Sequence, residues 1–257
     1  MRLYRFGPEG FFVATDAEGA PRVLHSDPFE DRPGGWRLGR RVDFETAALL
    51  APVVPGKIVG IGRNYVEHAL ELDNPVPAEP VLFLKSPSSV VGPRAPIVLP
   101  PESDRVEYEG EVAVVLRQTL RRASHEQVRA AILGLTCACD VTARDLQKRD
   151  PTFARAKSFD TFCPLGPAID VEPDLDAFTV ITRVNGEERQ RGRAEQMSFG
   201  ILDLLVYTSR MMTLEAGDVV LTGTPAGVGR LEAGDLLEIE VSGVGVLENP
   251  VEAWQGG

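Results

Sequence analysis

The chain has 257 residues, 43% hydrophobic and 25% charged, an ordinary mix for one large globular domain or one domain with a small addition. Its formal net charge of -11 argues against non-specific binding to nucleic acid or an anionic membrane. It does not exclude an acidic substrate, because a local cation can reverse the field inside one site.

No apolar run approaches the ~20 residues needed to cross a bilayer, and MRLYRFGPEG carries no apolar signal core. A cytoplasmic protein is therefore expected. Cys137, Cys139 and Cys163 offer neither a disulfide framework nor a CxxC pair, so free, mostly buried thiols are expected.

Residues 1 to about 50 alternate short apolar runs with Gly, Pro and Asp. LYRFGPEGFFVAT reads as a hairpin by its period-two pattern and central turn residues. APVVPGK at 51–57 reads as a linker. These features predict a small N-terminal β domain over 1–52 and a larger domain over 55–257.

KIVGIG is a short buried strand. NYVEHALEL has helical spacing of Tyr65, Ala69 and Leu72, and Asn64 can cap it. NPVPAEP at 74–80 is proline-rich and reads as an extended surface loop. VLFLK and PIVLP are strands, followed by RVEYEGEVAVVL, read as one strand. SHEQVRAAI is a helix with a Ser124–Gln127 capping box. LGLTCACDV is a strand ending at Asp140, and TARDLQKRD is a short helix.

TVITRVNGEERQ predicts two strands joined by an Asn185–Gly186 turn. MSFGILDLLVYTSRMM is the longest helix, amphipathic by its 201, 204, 205, 208 spacing. DVVLTGTP and DLLEIEV are strands. Strands outnumber helices without regular βαβ alternation, so the fold class is mostly β with short helices, an α+β arrangement.

Four stretches carry chemistry. On one strand, Glu107, Glu109 and Glu111 share a face that Ala113 and Val115 continue, which turns it inward. Crowded carboxylates repel one another, and a bound cation with oxygen ligands relieves this; an edge strand with its acidic face in water is the plain alternative. Asp140 at a strand end is placed either to meet such a site or to cap a helix. His68 and Glu71 lie on one helical face, as a general base with its orienting carboxylate or as a chance surface pair.

The third stretch, ARAKSFD, places Lys157 in a polar segment, where a solvated lysine is the ordinary outcome. The fourth, LTGTPAGVG at 221–229, lacks the Lys-Ser/Thr of a phosphate loop and is either a close backbone approach to a ligand or a plain turn.

Taken in order over roughly residues 55 to 250, GIGRNYVEHALE, YEGEVAVVL, DVTARDLQKRD, ARAKSFDTFCPLGP and MTLEAGDVVLTGTPAGVG resemble the fumarylacetoacetate hydrolase family. The resemblance implies a rolled, mixed β-sheet around the site and a homodimer. It also implies Mg²⁺ or Mn²⁺ held by an ExE pair and a later aspartate, which fall on Glu109, Glu111 and Asp140. Glu107 lies outside that pair and takes an outer or surface role.

The family's catalytic histidine and helper glutamate fall on His68 and Glu71, and its lysine on Lys157. Substrate-facing positions fall on Arg63, Tyr65, Arg144, Gln147 and Thr224. One departure is Cys139, where the family commonly has Asn before the aspartate; it alters the surroundings of the ligand without removing one.

The resemblance further implies a small 2-oxo acid or dicarboxylate substrate and a metal-stabilised enolate shared by isomerisation, decarboxylation and C–C hydrolysis. Similarity to short bacterial members points first to a 2-hydroxyhepta-2,4-diene-1,7-dioate isomerase / 5-carboxymethyl-2-oxo-hex-3-ene-1,7-dioate decarboxylase. Acylpyruvate hydrolysis or oxaloacetate decarboxylation comes next. A metal-dependent 2-oxo acid binding protein without turnover is the alternative outside the enzymes. Zinc hydrolysis is disfavoured because the three histidines form no HxxxH pair.

Overall fold

A computed structural model describes residues 1–31, 33–42, 49–71 and 75–256. β1 (Arg2–Phe6) and β2 (Phe11–Thr15) form the expected antiparallel hairpin. β3 (Pro21–Leu24), β4 (Leu38–Arg41) and β5 (Leu49–Leu50) follow. The part of the N-terminal expectation that falls on 43–48 lies outside the described residues, as do Leu72 of the expected helix and Asn74 of the proline-rich segment.

Residues 51–57 carry no regular structure, and Ala51 and Val53 are buried in the core. β6 (Ile58–Gly62) leads into α1 (Val66–Glu71), then β7 (Val81–Lys85), β8 (Val90–Val91), β9 (Ile97–Leu99), β10 (Val106–Tyr108) and β11 (Gly110–Leu116). α2 (His125–Ala131) is capped at both positions of the expected box: Ser124 Oγ accepts from Gln127 N, and Gln127 Oε1 accepts from Ser124 N at 2.9 Å. β12 (Ile132–Cys139), β13 (Thr142–Ala143), α3 (Arg144–Arg149), α4 (Ala154–Lys157) and β14 (Cys163–Asp170) complete the middle of the chain.

β15 (Thr179–Val184) and β16 (Glu187–Arg193) flank the expected turn, where Asn185 and Gly186 both take positive φ, 54° and 78°. α5 (Ile201–Met211) is the longest helix described. β17 (Val219–Leu221), β18 (Gly229–Arg230), β19 (Leu236–Val241) and β20 (Gly245–Ala253) end the chain.

The central mixed sheet runs β4-β3-β2-β1-β14-β12-β11-β17-β6-β7, so the N-terminal strands extend it through the β1–β14 pair. A second sheet runs β16-β15-β19-β20-β9, and a third, small one β13-β10-β18. The pairs β17–β6, β20–β9 and β14–β8 are parallel; the other strand pairs are antiparallel. The fold class is thus mostly β with short helices and mixed sheets.

β11 lies inside the molecule with both faces covered. Val112, Val114 and Leu116 join a large core with α5 and the second sheet, while Ala113 and Val115 join a smaller core with Leu3, Ile58, Leu133 and Ile169. A strand buried on both faces reads as a continuous apolar run, which VAVVL is. Each such Val or Leu contributes roughly 1.5–3 kcal/mol through burial.

Three expectations are corrected. RVEYEGEVAVVL is not one strand: β10 pairs with β13 and β18, β11 pairs with β12 and β17, and the chain changes sheets at Glu109. Asn64 does not cap α1; its Nδ2 donates to Phe199 O at 3.0 Å and Thr222 O at 2.8 Å, and its Oδ1 accepts from Phe199 N at 2.9 Å. That tie also starts α5 late, at residue 201, because Ser198 N and Phe199 N both donate to Asn64.

Candidate active site

Local structure brings three carboxylates to one point. Glu109 stands at the sheet change and Glu111 at the second position of β11. Asp140 directly follows β12, which pairs with β11 in a register that sets Gly110 opposite Cys139. The backbone locks this junction, since Asp140 N donates to Glu109 O at 2.8 Å. One carboxylate oxygen from each of Glu109, Glu111 and Asp140 lies within 4.8 Å of the others, and all three residues are buried.

Buried cations face this cluster. Lys157 Nζ donates to Glu109 Oε2 at 2.7 Å and to Asp140 Oδ2 at 2.5 Å, so the ordinary solvated reading of this lysine is wrong. Lys85, fully buried at the end of β7, donates to Asp140 Oδ1 at 2.7 Å and to Val141 O at 3.3 Å. Arg144 opens α3, donates to Glu107 Oε2 at 2.6 Å and pairs with Glu109. Glu107 is 1% exposed and also pairs with Arg105, which removes the surface option for it.

The electrostatics divide the two glutamates. Burial pushes the Glu109 carboxyl up, but Lys157 and Arg144 overcome it and hold the group well below the carboxylate range. Glu111 goes the other way: burial, then the Asp140 and Glu109 charges, push it up, against the Gly223 N–H at 2.6 Å and the Lys157 charge. Burial opposes the charge of Lys157, yet Asp140 and Glu109 keep it protonated and raise its pKa. Burial also pushes the Cys139 thiol up, so it stays neutral beside Asp140.

The second functional group sits on α1. His68 is 5% exposed, and its Nδ1 lies 3.4 Å from Glu71 Oε2. Glu71 is anchored from the glycine-rich loop, where Gly227 N lies 3.0 and 3.1 Å from its two oxygens. The same loop touches the acidic side: Thr222 Oγ1 donates to Val112 O at 2.8 Å, Gly223 N to Glu111, and Thr224 Oγ1 to Gly110 O at 2.9 Å. The loop is therefore no plain turn. Gly227, at φ 102°, cannot carry a side chain, because a Cβ would collide with the Arg189 carbonyl.

One cavity of about 410 Å³ collects these groups. Glu109, Glu111, Asp140, His68, Glu71, Lys157, Arg63, Arg144, Gln147 and Thr224 all line it. Tyr65 does not. It is 2% exposed, and burial and then the Glu111 charge push its phenol up; its hydroxyl has no partner among the described residues.

The wall also holds groups that sequence reasoning missed: Phe83, Phe153 and Lys148. Phe83 supports Lys157, whose Nζ lies 4.9 Å from the ring centroid. Lys85 was missed too. Its signal was a lysine closing an apolar strand, VLFLK, next to no acidic residue in sequence.

The donor set fits a hard divalent cation. It offers oxygen only, from three converging carboxylates, and four buried carboxylates at this site face three buried cations. An ion here would offset the repulsion that raises Glu111.

Comparison with known proteins bears on the same segments. The family model described as Fumarylacetoacetate (FAA) hydrolase C-terminal matches residues 57–252. The human mitochondrial oxaloacetate tautomerase FAHD2A is 43% identical over 216 residues, 79% of this chain and 69% of that protein. The solved structure of 5-carboxymethyl-2-hydroxymuconate delta-isomerase from Mycobacterium smegmatis is 40% identical, with a TM-score of 0.88 over 99% of this chain and 100% of that one. That of 2-hydroxyhepta-2,4-diene-1,7-dioate isomerase from Mycobacterium marinum is 37% identical, with a TM-score of 0.87 over the whole of both chains. A buried acidic triad, a histidine–carboxylate pair in the same cavity and a family match over most of the chain lead to one conclusion: this chain is an enzyme of the fumarylacetoacetate hydrolase family.

Proposed function

We propose that this enzyme shifts protons within small 2-oxo dicarboxylic acids or their enols, with a divalent cation, Mg²⁺ or Mn²⁺, bound by Glu109, Glu111 and Asp140. The leading substrate is a 2-hydroxy-2,4-diene-1,7-dioate, isomerised to its 2-oxo form, with decarboxylation of the related 5-carboxymethyl-2-oxo-hex-3-ene-1,7-dioate as a companion activity. Two full-length structural relatives carry isomerase names of this type. The observation that carries the reading is the convergence of the three carboxylates in one cavity with His68 and Glu71.

When bound, the cation supplies a Lewis acid for the substrate's carboxylate and adjacent oxo oxygen. His68 carries the proton. It accepts one from the enol hydroxyl and returns one to carbon, so the isomerisation consumes nothing. Glu71, held by Gly227 N, keeps the imidazole turned toward the cavity. Lys157 and Lys85 hold Glu109 and Asp140 in place, and Arg144 does the same for Glu109 from the other side. Arg63 and Gln147 are the groups on the wall for the substrate's carboxylates, and Thr224 closes the wall near Gly110. Tyr65 is given no role here, because it is not among the residues that line the cavity.

Tautomerisation of oxaloacetate is the second reading, favoured by the human relative, and uses the same proton transfer without the diene. Acylpyruvate hydrolysis and oxaloacetate decarboxylation draw on the same groups. A panel of dienedioate, acylpyruvates and oxaloacetate, assayed with Mg²⁺ and with chelator, ranks the readings. Turnover untouched by chelator rules out the role given to the carboxylates.

A boundary near residue 52 and a homodimer also belong to this reading. The dimer is supported by exposed Leu84 on the edge strand β7 and exposed Val66 and Leu70 on α1, and gel filtration with light scattering tests it. Among the described residues no helix is long and apolar enough to cross a membrane.

A further inference from the structure

A buried glutamine ties the acidic cluster to the glycine-rich loop. Gln190 lies in β16, where most side chains are exposed, yet it is 1% exposed. Its amide is fully used. Oε1 accepts from Gly110 N at 3.0 Å, and Nε2 donates to Thr224 Oγ1 at 2.8 Å and to Pro225 O at 2.7 Å. The Gly110 N–H can only donate and the Pro225 carbonyl can only accept, so the partners fix which way the amide points. Thr224 Oγ1 closes the ring by donating to Gly110 O at 2.9 Å.

Both backbone polar groups of Gly110 are therefore held by this ring, and Gly110 is the one residue between Glu109 and Glu111. Gly110 itself cannot change, because a Cβ there would collide with Thr182, the cross-strand partner of Gln190.

We infer that Gln190 is a positioning residue for the metal site. It sets the relative placement of the Glu109 and Glu111 carboxylates from a strand of the second sheet. This rests on reading the acidic cluster as the cation's ligands. A glutamine that merely filled the space between two sheets would affect stability alone. One that aligns the ligands affects ion affinity as well, by about 10- to 100-fold for groups placed behind metal ligands.

Asn249 provides the control. It is an equally buried amide, 1% exposed, donating to Gly92 O at 2.9 Å and Ala95 O at 2.8 Å, and neither of these partners lines the cavity. The test is titration of the intact protein with Mn²⁺, followed by loss of the free-ion EPR signal, with thermal melting of the metal-free protein alongside. Gln190→Met and Asn249→Leu should both melt below the wild type. Only Gln190→Met should weaken Mn²⁺ binding, by about 10- to 100-fold. Thr224→Val opens the same ring from its other side and should give the same weakening, which keeps the test decisive if Gln190→Met does not fold. Unchanged Mn²⁺ affinity in either folded ring variant, or equal weakening in Asn249→Leu, overturns the inference. Absence of Mn²⁺ binding by the wild type is a separate outcome, which removes the metal site itself and this inference with it.

Discussion

The two halves of the cavity are built differently. The acidic half is made of strand ends in the sheet interior, where Glu109, Glu111 and Asp140 are at most 5% exposed, Lys85 and Lys157 donate to Asp140, and Lys157 and Arg144 donate to Glu109. The proton-transfer half hangs on a six-residue helix, with a 3.4 Å contact between His68 and Glu71 and a Glu71 side chain one-third exposed. A charge cluster in a low-dielectric interior must be held rigidly, since misplacing one member leaves the rest uncompensated. The proton-transfer half has only one partly exposed member, Glu71, since His68 is itself 5% exposed, and among the described residues it carries no buried ion pair to compensate. The glycine-rich loop joins the halves, with Gly223 N on Glu111 and Gly227 N on Glu71.

If the halves differ in this way, breaking each should look different. The largest effect belongs to Asp140→Ala, which should abolish cation binding and turnover together. It also leaves Lys85 and Lys157 buried without this carboxylate, a loss of roughly 3–5 kcal/mol of stability of the kind seen when one partner of a buried pair is removed. Cation titration and thermal melting read both. Glu109→Ala should behave likewise through Arg144 and Lys157.

His68→Ala should instead keep cation affinity close to wild type and lower turnover by ~10²–10⁴-fold. A loss of cation binding in that variant would erase the division between the halves. Glu71→Gln should cost less than His68→Ala, because the contact it orients is long and partly solvated; steady-state kinetics on the best substrate compares the two. The smallest effect is expected from Tyr65→Phe. Its hydroxyl is buried without a partner among the described residues, so removing it should leave the melting temperature unchanged or slightly higher and turnover near wild type.

Much of this architecture was legible in the sequence where one local rule decides. The Asn185–Gly186 turn needs positive φ at both residues, and the capping box of α2 is a local pair of hydrogen bonds. Continuous apolar runs marked the doubly covered strands. The candidate site was legible only through the resemblance, because residue by residue Glu109, Glu111, His68 and Lys157 each fitted a solvated surface as well.

What stayed hidden depends on distant partners. The period-two glutamates gave no sign that the strand changes sheets at Glu109, because β10 and β11 pair with segments far along the chain. Asn64 reads as a helix cap by local chemistry, but its amide bonds residues about 135 and 158 positions away. Lys85 and Gln190 looked like ordinary strand polar residues, and only packing against Asp140 and Gly110 gives them meaning.

The most direct test of the central claim is diffraction from crystals soaked in Mn²⁺, with data collected for the manganese anomalous signal. The account predicts one strong peak within coordination distance of an oxygen from each of Glu109, Glu111 and Asp140. A peak away from these oxygens, or none at saturating Mn²⁺, would contradict it.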